Sequence, residues 1–204
     1  MKILIATHNP GKLAEIEKSL SILEKKNVQL ISLKELGINQ SPRETGETFQ
    51  ENSLLKAKYY AELTNLPTIA DDGGLGIDIL NGEPGVKSRR WPGHEATDEE
   101  LIAYTLNSLR SYIGADRTAY LQTCITFYDP KTKKTFYETE KIDGYIAETP
   151  SNKRIKGYPF RALFIIKKFR KYYDELTDEE HKEINHRLKA AKRLAKKIQS
   201  YLLQ

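Results

Sequence analysis

The chain has 204 residues, 30% of them charged and 39% hydrophobic, and carries a net charge of +5. That length and balance describe a globular protein with a sizeable core and exclude a disordered chain. No apolar run approaches bilayer-spanning length, and the N-terminus shows no charged lead followed by a long apolar stretch, so neither a membrane span nor a secretory signal is expected. The lone cysteine, Cys124, excludes an internal disulfide and any cysteine-based zinc site; it reads as a buried thiol in a reducing, cytoplasmic setting.

In chain order, Ile3–Ala6 reads as a buried strand that runs into Thr7-His8-Asn9-Pro10-Gly11-Lys12. A helix follows over about Lys12 to Leu23, with Leu13, Ile16, Leu20 and Leu23 at helical spacing. Val28–Ser32 reads as a second strand, 41–46 as a loop, and Thr48 to Leu63 as a helix ended by Asn65 and Pro67. Thr68–Ala70 is a short strand leading into Asp71-Asp72-Gly73-Gly74; Leu75–Leu80 is another strand or an extended bend. Residues 85–93 are irregular and basic, with Trp91 anchoring the loop in the core rather than meeting nucleic acid.

Thr97 with Glu100 has the spacing of a capping box and opens a helix over Asp98 to Leu109. Ala119–Tyr128, Thr135–Lys141 and Gly144–Glu148 are strands, the first two joined by a turn at Asp129-Pro130-Lys131. Ala162–Ile166 is a buried strand, and Thr177 with Glu180 opens a C-terminal helix or helix pair ending near Leu203. Its apolar stripe of Leu188, Ala191, Leu194, Ala195, Ile198 and Leu202 implies core or dimer packing, with the lysines outside it. Strands alternate with helices early and cluster later, which predicts an α/β fold with a mixed sheet and no linker within 1–204.

Two stretches carry chemistry. In Thr7-His8-Asn9-Pro10-Gly11-Lys12, a strand, a tight loop and a helix start together make an anion cradle, in which helix N-terminal N–H groups point outward and Lys12 adds charge. Asp71-Asp72-Gly73-Gly74 reads as carboxylates at a strand end, exposed and mobile enough to reach a metal; hard oxygen ligands of this kind suit Mg2+ bridged to phosphates. Glu44 supplies another loop carboxylate and Lys56 another cation, and the whole set suits triphosphate chemistry with a carboxylate preparing water for attack. From Ser151 onward Lys and Arg outnumber Asp and Glu, which reads as solvated helix surface more than as a nucleic-acid contact.

These pieces in this order resemble the inosine/xanthosine triphosphate pyrophosphatase (Ham1-like) family. Its phosphate loop is matched by Thr7–Lys12 with Glu15, and a second block by Glu44-Thr45-Gly46 through Phe49, Glu51-Asn52-Ser53 and Leu55-Lys56-Ala57. An acidic block is matched by Ile69–Leu75, and further stretches by Pro84–Arg90, Gly93–Asp98 and the segment from Glu175 to Ile184-Asn185-His186-Arg187. The resemblance implies an elongated two-lobed α/β fold around a twisted mixed sheet, with a cleft between lobes, and a homodimer. It implies Mg2+-dependent hydrolysis of deaminated purine nucleoside triphosphates to monophosphate and pyrophosphate. Asp72 would be general base and metal ligand, Glu44 the other ligand, and Asp71 a support. Thr7, His8, Asn9, Pro10, Gly11, Lys12, Lys56 and Gly73 would surround the phosphates, and His186 and Arg187 would reach the nucleotide from the far lobe.

The match breaks on the base-recognition side. Where the family carries an aromatic residue followed by Asp, this chain has Phe160 and Arg161, so an acceptor becomes a donor-only cation. His181 stands where the family has Lys, and Gly73 where Ser is common. Phe160, Arg161 and His181 are therefore expected to meet the base with a changed preference. A nucleotide-binding module without turnover, or a pyrophosphatase for modified pyrimidine triphosphates, are the competing expectations.

Overall fold

A computed structural model describes residues 1–24 and 26–203. Strands β1 (Lys2–Ile5), β2 (Gln29–Ser32), β3 (Thr68–Ile77), β4 (Thr118–Tyr128), β5 (Thr135–Ile146), β6 (Phe164–Ile166) and β7 (Lys171–Tyr172) form one sheet in the order β2-β1-β3-β4-β5-β6-β7. Pairing of β1 with β2 and with β3 is parallel; β5–β6 and β6–β7 are antiparallel, so the sheet is mixed. The helices are α1 (Pro10–Glu24), α2 (Phe49–Thr64), α3 (Asp98–Ser108), α4 (Asp178–Ile184) and α5 (His186–Leu202). Among the described residues, no helix is long and apolar enough to cross a membrane.

The chain forms two compact units, neither continuous in sequence. The first holds Met1–Gly73, Thr123–Glu140 and His186–Gln204; the second holds Gly74–Gln122 and Lys141–Asn185. In the first unit, α1 and α5 pack on one face of the sheet with Ile3, Ile5 and Ile69. Leu4, Ala6 and Ala70 point to the other face, where α2 supplies Ala57, Tyr60 and Ala61. Burial on both faces explains the unbroken apolar run of β1. Leu188, Ala191, Leu194, Ala195 and Ile198 are all buried in this unit or against α1, so the C-terminal stripe is core rather than dimer surface.

Helix starts are legible because their caps are local. Thr48, Thr97 and Thr177 each cap a helix in a reciprocal box with Glu51, Glu100 and Glu180. In the second unit Trp91 is buried, its ring edge-on to Tyr104 at 5.1 Å, and Arg89 pairs with Asp98 at 2.6 Å. Basic residues on α5 are likewise engaged: Arg193 reaches Glu138 and Glu140, each at 2.6 Å.

The strands depart from expectation at β7, where none was expected, and in three further places. β3 does not stop at Ala70 but continues to Ile77, carrying Asp71 to Gly74 inside it. β5 runs unbroken through Gly144, which is no turn: a Cβ there would lie 2.3 Å from the Ile165 carbonyl of β6. The strand expected over Ala162–Ile166 shortens to β6, because Pro159–Ala162 winds into a single 3-10 turn.

Candidate active site

Alternation along β3 decides what each acid touches. Ile69 faces α1 and α5 and Ala70 faces α2, so Asp71 returns to the α1/α5 face and Asp72 to the α2 face. Both carboxylates are buried, Asp71 at 2% and Asp72 at 8% exposure, which corrects the expectation of a mobile, exposed pair at a strand end. The two acids thus serve different partners.

Asp71 Oδ2 accepts from Lys12 Nζ and from Arg187 Nε, each at 3.1 Å. Arg187 Nη1 also pairs with Glu15 Oε2 at 2.8 Å. Burial pushes the Asp71 carboxyl up, but the charges of Lys12, Arg187 and Lys56 outweigh it and hold the group well below the usual carboxylate range. Lys12 is pulled down by burial, with Asp71 opposing. His186 and Arg187 open α5 in the same unit as the acids, so their expected place in a far lobe is wrong. Arg187, only 4% exposed, ties α5 to β3 and α1 instead.

Asp72 Oδ1 lies 3.0 Å from Lys56 Nζ, and the same ammonium lies 2.8 Å from Glu44 Oε1. Burial raises the Asp72 carboxyl, Lys56 and Lys12 pull it down, and Glu44 adds to the rise, leaving it raised. Lys56 loses charge stability to burial, yet Asp72 and Glu44 more than restore it and its ammonium is firmly held. Asp72 Oδ2 is enclosed, and among the described residues it has no hydrogen-bond partner. Glu44 reaches this place because the loop after it is pinned: Gly46 N–H donates to Asn52 Oδ1 at 2.8 Å, and a Cβ on Gly46 would lie 2.7 Å from Glu51 Cβ. Asn52, 1% exposed, is a positioning residue that sequence reasoning quoted without assigning a role; Glu15 is another. Nothing in their residue types marked them: Glu15 acts on Arg187 at the far end of the chain, and Asn52 acts back on the loop that precedes its own helix.

Thr7, His8 and Asn9 lie between β1 and α1, while Pro10, Gly11 and Lys12 already form the first turn of the helix, and the amides of the stretch are not all directed outward. Asn9 Oδ1 accepts from the Gly11 and Lys12 amides at 2.9 and 3.1 Å, and Thr7 Oγ1 accepts from the Asn9 amide at 3.2 Å. Asn9 is thus the cap of α1, with Pro10 at its first position. His8 sits edge-on to Tyr60, its Nε2 3.3 Å from the Tyr60 hydroxyl. Gly73 ends the first unit on β3.

A divalent cation fits the Asp72–Glu44 pair by donor chemistry: two hard carboxylates on one face, one with an enclosed, unpartnered oxygen. Among the described residues no three His, Cys, Asp or Glu side chains cluster as they would for a metal caged by protein alone.

In the second unit Phe160 is buried in the core, and Arg161 beside it is 6% exposed. The Arg161 guanidinium lies 3.6 Å from the Tyr158 ring centroid and 4.5 Å from that of Tyr173. Both Asp174 oxygens are buried without a well-formed hydrogen bond. Burial lifts that carboxyl to about 6, with Arg161 and the Ile155 amide opposing. His181 is edge-on to Tyr173 at 5.4 Å, and its Nε2 is 3.2 Å from the Asn185 amide nitrogen. Phe160, Arg161 and His181 therefore belong to one cluster, and Asp174 is a member that sequence reasoning missed.

Known proteins resemble the chain over nearly its whole length. The family model described as the Ham1 family matches residues 3–197. The chain is 38% identical to the dITP/XTP pyrophosphatase of Bacillus subtilis (strain 168), over 97% of this chain and 96% of that one. It is 37% identical to the dITP/XTP pyrophosphatase of Thermus thermophilus, covering 95% and 90%. Among solved structures, a HAM1 protein from Coxiella burnetii superposes with TM-score 0.85 at 32% identity, covering 98% and 99% of the two chains. The Staphylococcus aureus Ham1 protein gives 0.82 at 30% identity, covering 98% and 100%. On sequence and fold together, the chain belongs to the Ham1 family.

Proposed function

We propose that this protein is a Mg2+-dependent nucleoside triphosphate pyrophosphatase acting on deaminated purine nucleotides of the dITP and XTP class, whose products are the monophosphate and pyrophosphate. The observation that carries the reading is Asp72: a buried carboxylate with a raised proton affinity, facing Glu44 and Lys56, with one oxygen unpartnered. Asp72 takes a proton from a water molecule as the water oxygen bonds to the α-phosphorus, while the bond from that phosphorus to the bridging oxygen breaks and pyrophosphate leaves. Asp72 and Glu44 would hold the Mg2+, which when bound supplies charge neutralisation for the phosphates. Lys12 and Lys56 add positive charge, and the Thr7–Lys12 loop lies at the start of α1, where anions are favoured. Family membership supports a homodimer and a cytoplasmic nucleotide-pool role.

Arg161 favours a shifted base preference within that reading. A donor-only guanidinium between Tyr158 and Tyr173 suits carbonyl acceptors on a base and disfavours an N–H edge that an Asp would accept. Pyrophosphate release is to be measured over dITP, ITP, XTP, dUTP, modified pyrimidine triphosphates and the standard nucleotides, with wild type and Asp72→Asn. Asp72→Asn is expected to lower turnover by about 100-fold or more while leaving nucleotide binding largely intact. Unchanged turnover overturns the role of Asp72. A dITP and XTP preference that Arg161→Asp leaves untouched overturns the shift, and sedimentation of the purified chain tests the dimer.

A further inference from the structure

The Lys56 ammonium occupies the space between the two carboxylates proposed to hold the metal, 2.8 Å from Glu44 and 3.0 Å from Asp72. Hydrogen-bonding distance to both leaves no room there for a second cation coordinated by the same oxygens. One positive charge against two negative ones still leaves a net negative site, and Asp72 Oδ2 remains unsatisfied. Lysine suits a temporary occupant. It is a compact charge on a flexible stem whose donors rotate, so it can leave its partners without moving α2. Two protein carboxylates also make a poor Mg2+ site by themselves, since that ion binds best to one or two carboxylates completed by phosphate oxygens.

We infer that Lys56 stands in the cation position until nucleotide arrives, so that the divalent ion enters with the triphosphate while the ammonium moves from the carboxylates to phosphate oxygens. The exchange breaks no covalent bond: the carboxylate pair trades one positive charge for two, and the lysine trades carboxylate partners for phosphate ones. The inference rests on the proposed function only for the identity of the metal-holding pair. It makes metal and nucleotide binding mutually dependent, with Lys56 as the source of the dependence.

The test is Mn2+ binding, followed by the electron paramagnetic resonance signal of the unbound ion. Wild type, Lys56→Met and Lys56→Arg are compared without nucleotide and with a non-hydrolysable α,β-methylene inosine triphosphate, and heat unfolding is run in parallel. Without nucleotide, Lys56→Met is expected to bind Mn2+ roughly tenfold more tightly than wild type, and Lys56→Arg, which keeps the charge, as weakly as wild type. The analogue is expected to strengthen Mn2+ binding far more in wild type than in Lys56→Met. Lys56→Met binding no tighter than wild type, or Lys56→Arg as tight as Lys56→Met, overturns the inference. No Mn2+ binding by any of the three proteins, with or without analogue, removes the metal site itself and with it the Mg2+ part of the proposed function.

Discussion

Asp71 and Asp72 are chain neighbours whose side chains leave β3 on opposite faces, and their substitutions are expected to fail in opposite ways. Asp72→Asn should cost turnover. Asp71→Asn should cost stability, because it strands the Lys12 and Arg187 charges in a buried place; urea unfolding at pH 7 is expected to show a loss of about 3 kcal/mol. The sign with pH follows from the depressed Asp71 carboxyl. Its contribution is present above its usual value of 3.8 and fades as pH falls below that, so the gap between wild type and Asp71→Asn narrows only below about pH 4. Asp174 works the other way. Its carboxyl is raised from 3.8 to about 6, so the folded state binds the extra proton between those values and stability falls as pH rises through that window. Melting temperatures of Asp174→Asn and wild type between pH 4 and 7 check this: the wild type should carry a downward slope that the Asn variant lacks.

At the level of elements, legibility followed the distance over which each determinant acts. Capping boxes span three residues, and the helices that begin with Thr48, Thr97 and Thr177 were readable to within a residue. The glycines of β3 and β5 were not, because a glycine that permits close approach has the same letter as one that turns. Gly144 is read correctly only when β6 lies beside it. Arg117 gives the same lesson for a polar residue. It is 5% exposed, and its guanidinium donates to the carbonyls of Leu109, Tyr112, Ile146 and Ala147, joining the end of α3 to the end of β5. No local pattern announces such a role. Arg117→Met is expected to destabilise by about 3 kcal/mol or more, since buried carbonyls lose their donors. Arg193→Met, on a half-exposed ion pair, should cost less, about 1 kcal/mol, and thermal melts of the two variants make the comparison.

For the whole molecule, the α/β class, the mixed sheet and the family were all legible from the amino acids, because block motifs recur in order along nearly the full chain. Lys12, Glu44, Lys56 and Asp72, the residues expected around phosphates and metal, lie in one unit. What escaped was the division of labour inside that group: which acid neutralises the framework, and which lysine holds which acid. Those assignments depend on strand alternation against helices that the chain supplies more than a hundred residues apart, as with Asp71 and Arg187.

The interleaving of the units has an evolutionary corollary. Strands β3, β4 and β5 each contribute residues to both, so no single stretch of gene encodes either one. Recombination of one continuous stretch of gene could not transplant either unit whole. Exchange of a whole unit between two lineages would need breakpoints inside β3, β4 and β5 at once, which leaves single-codon change as the open route for revising one unit against the other.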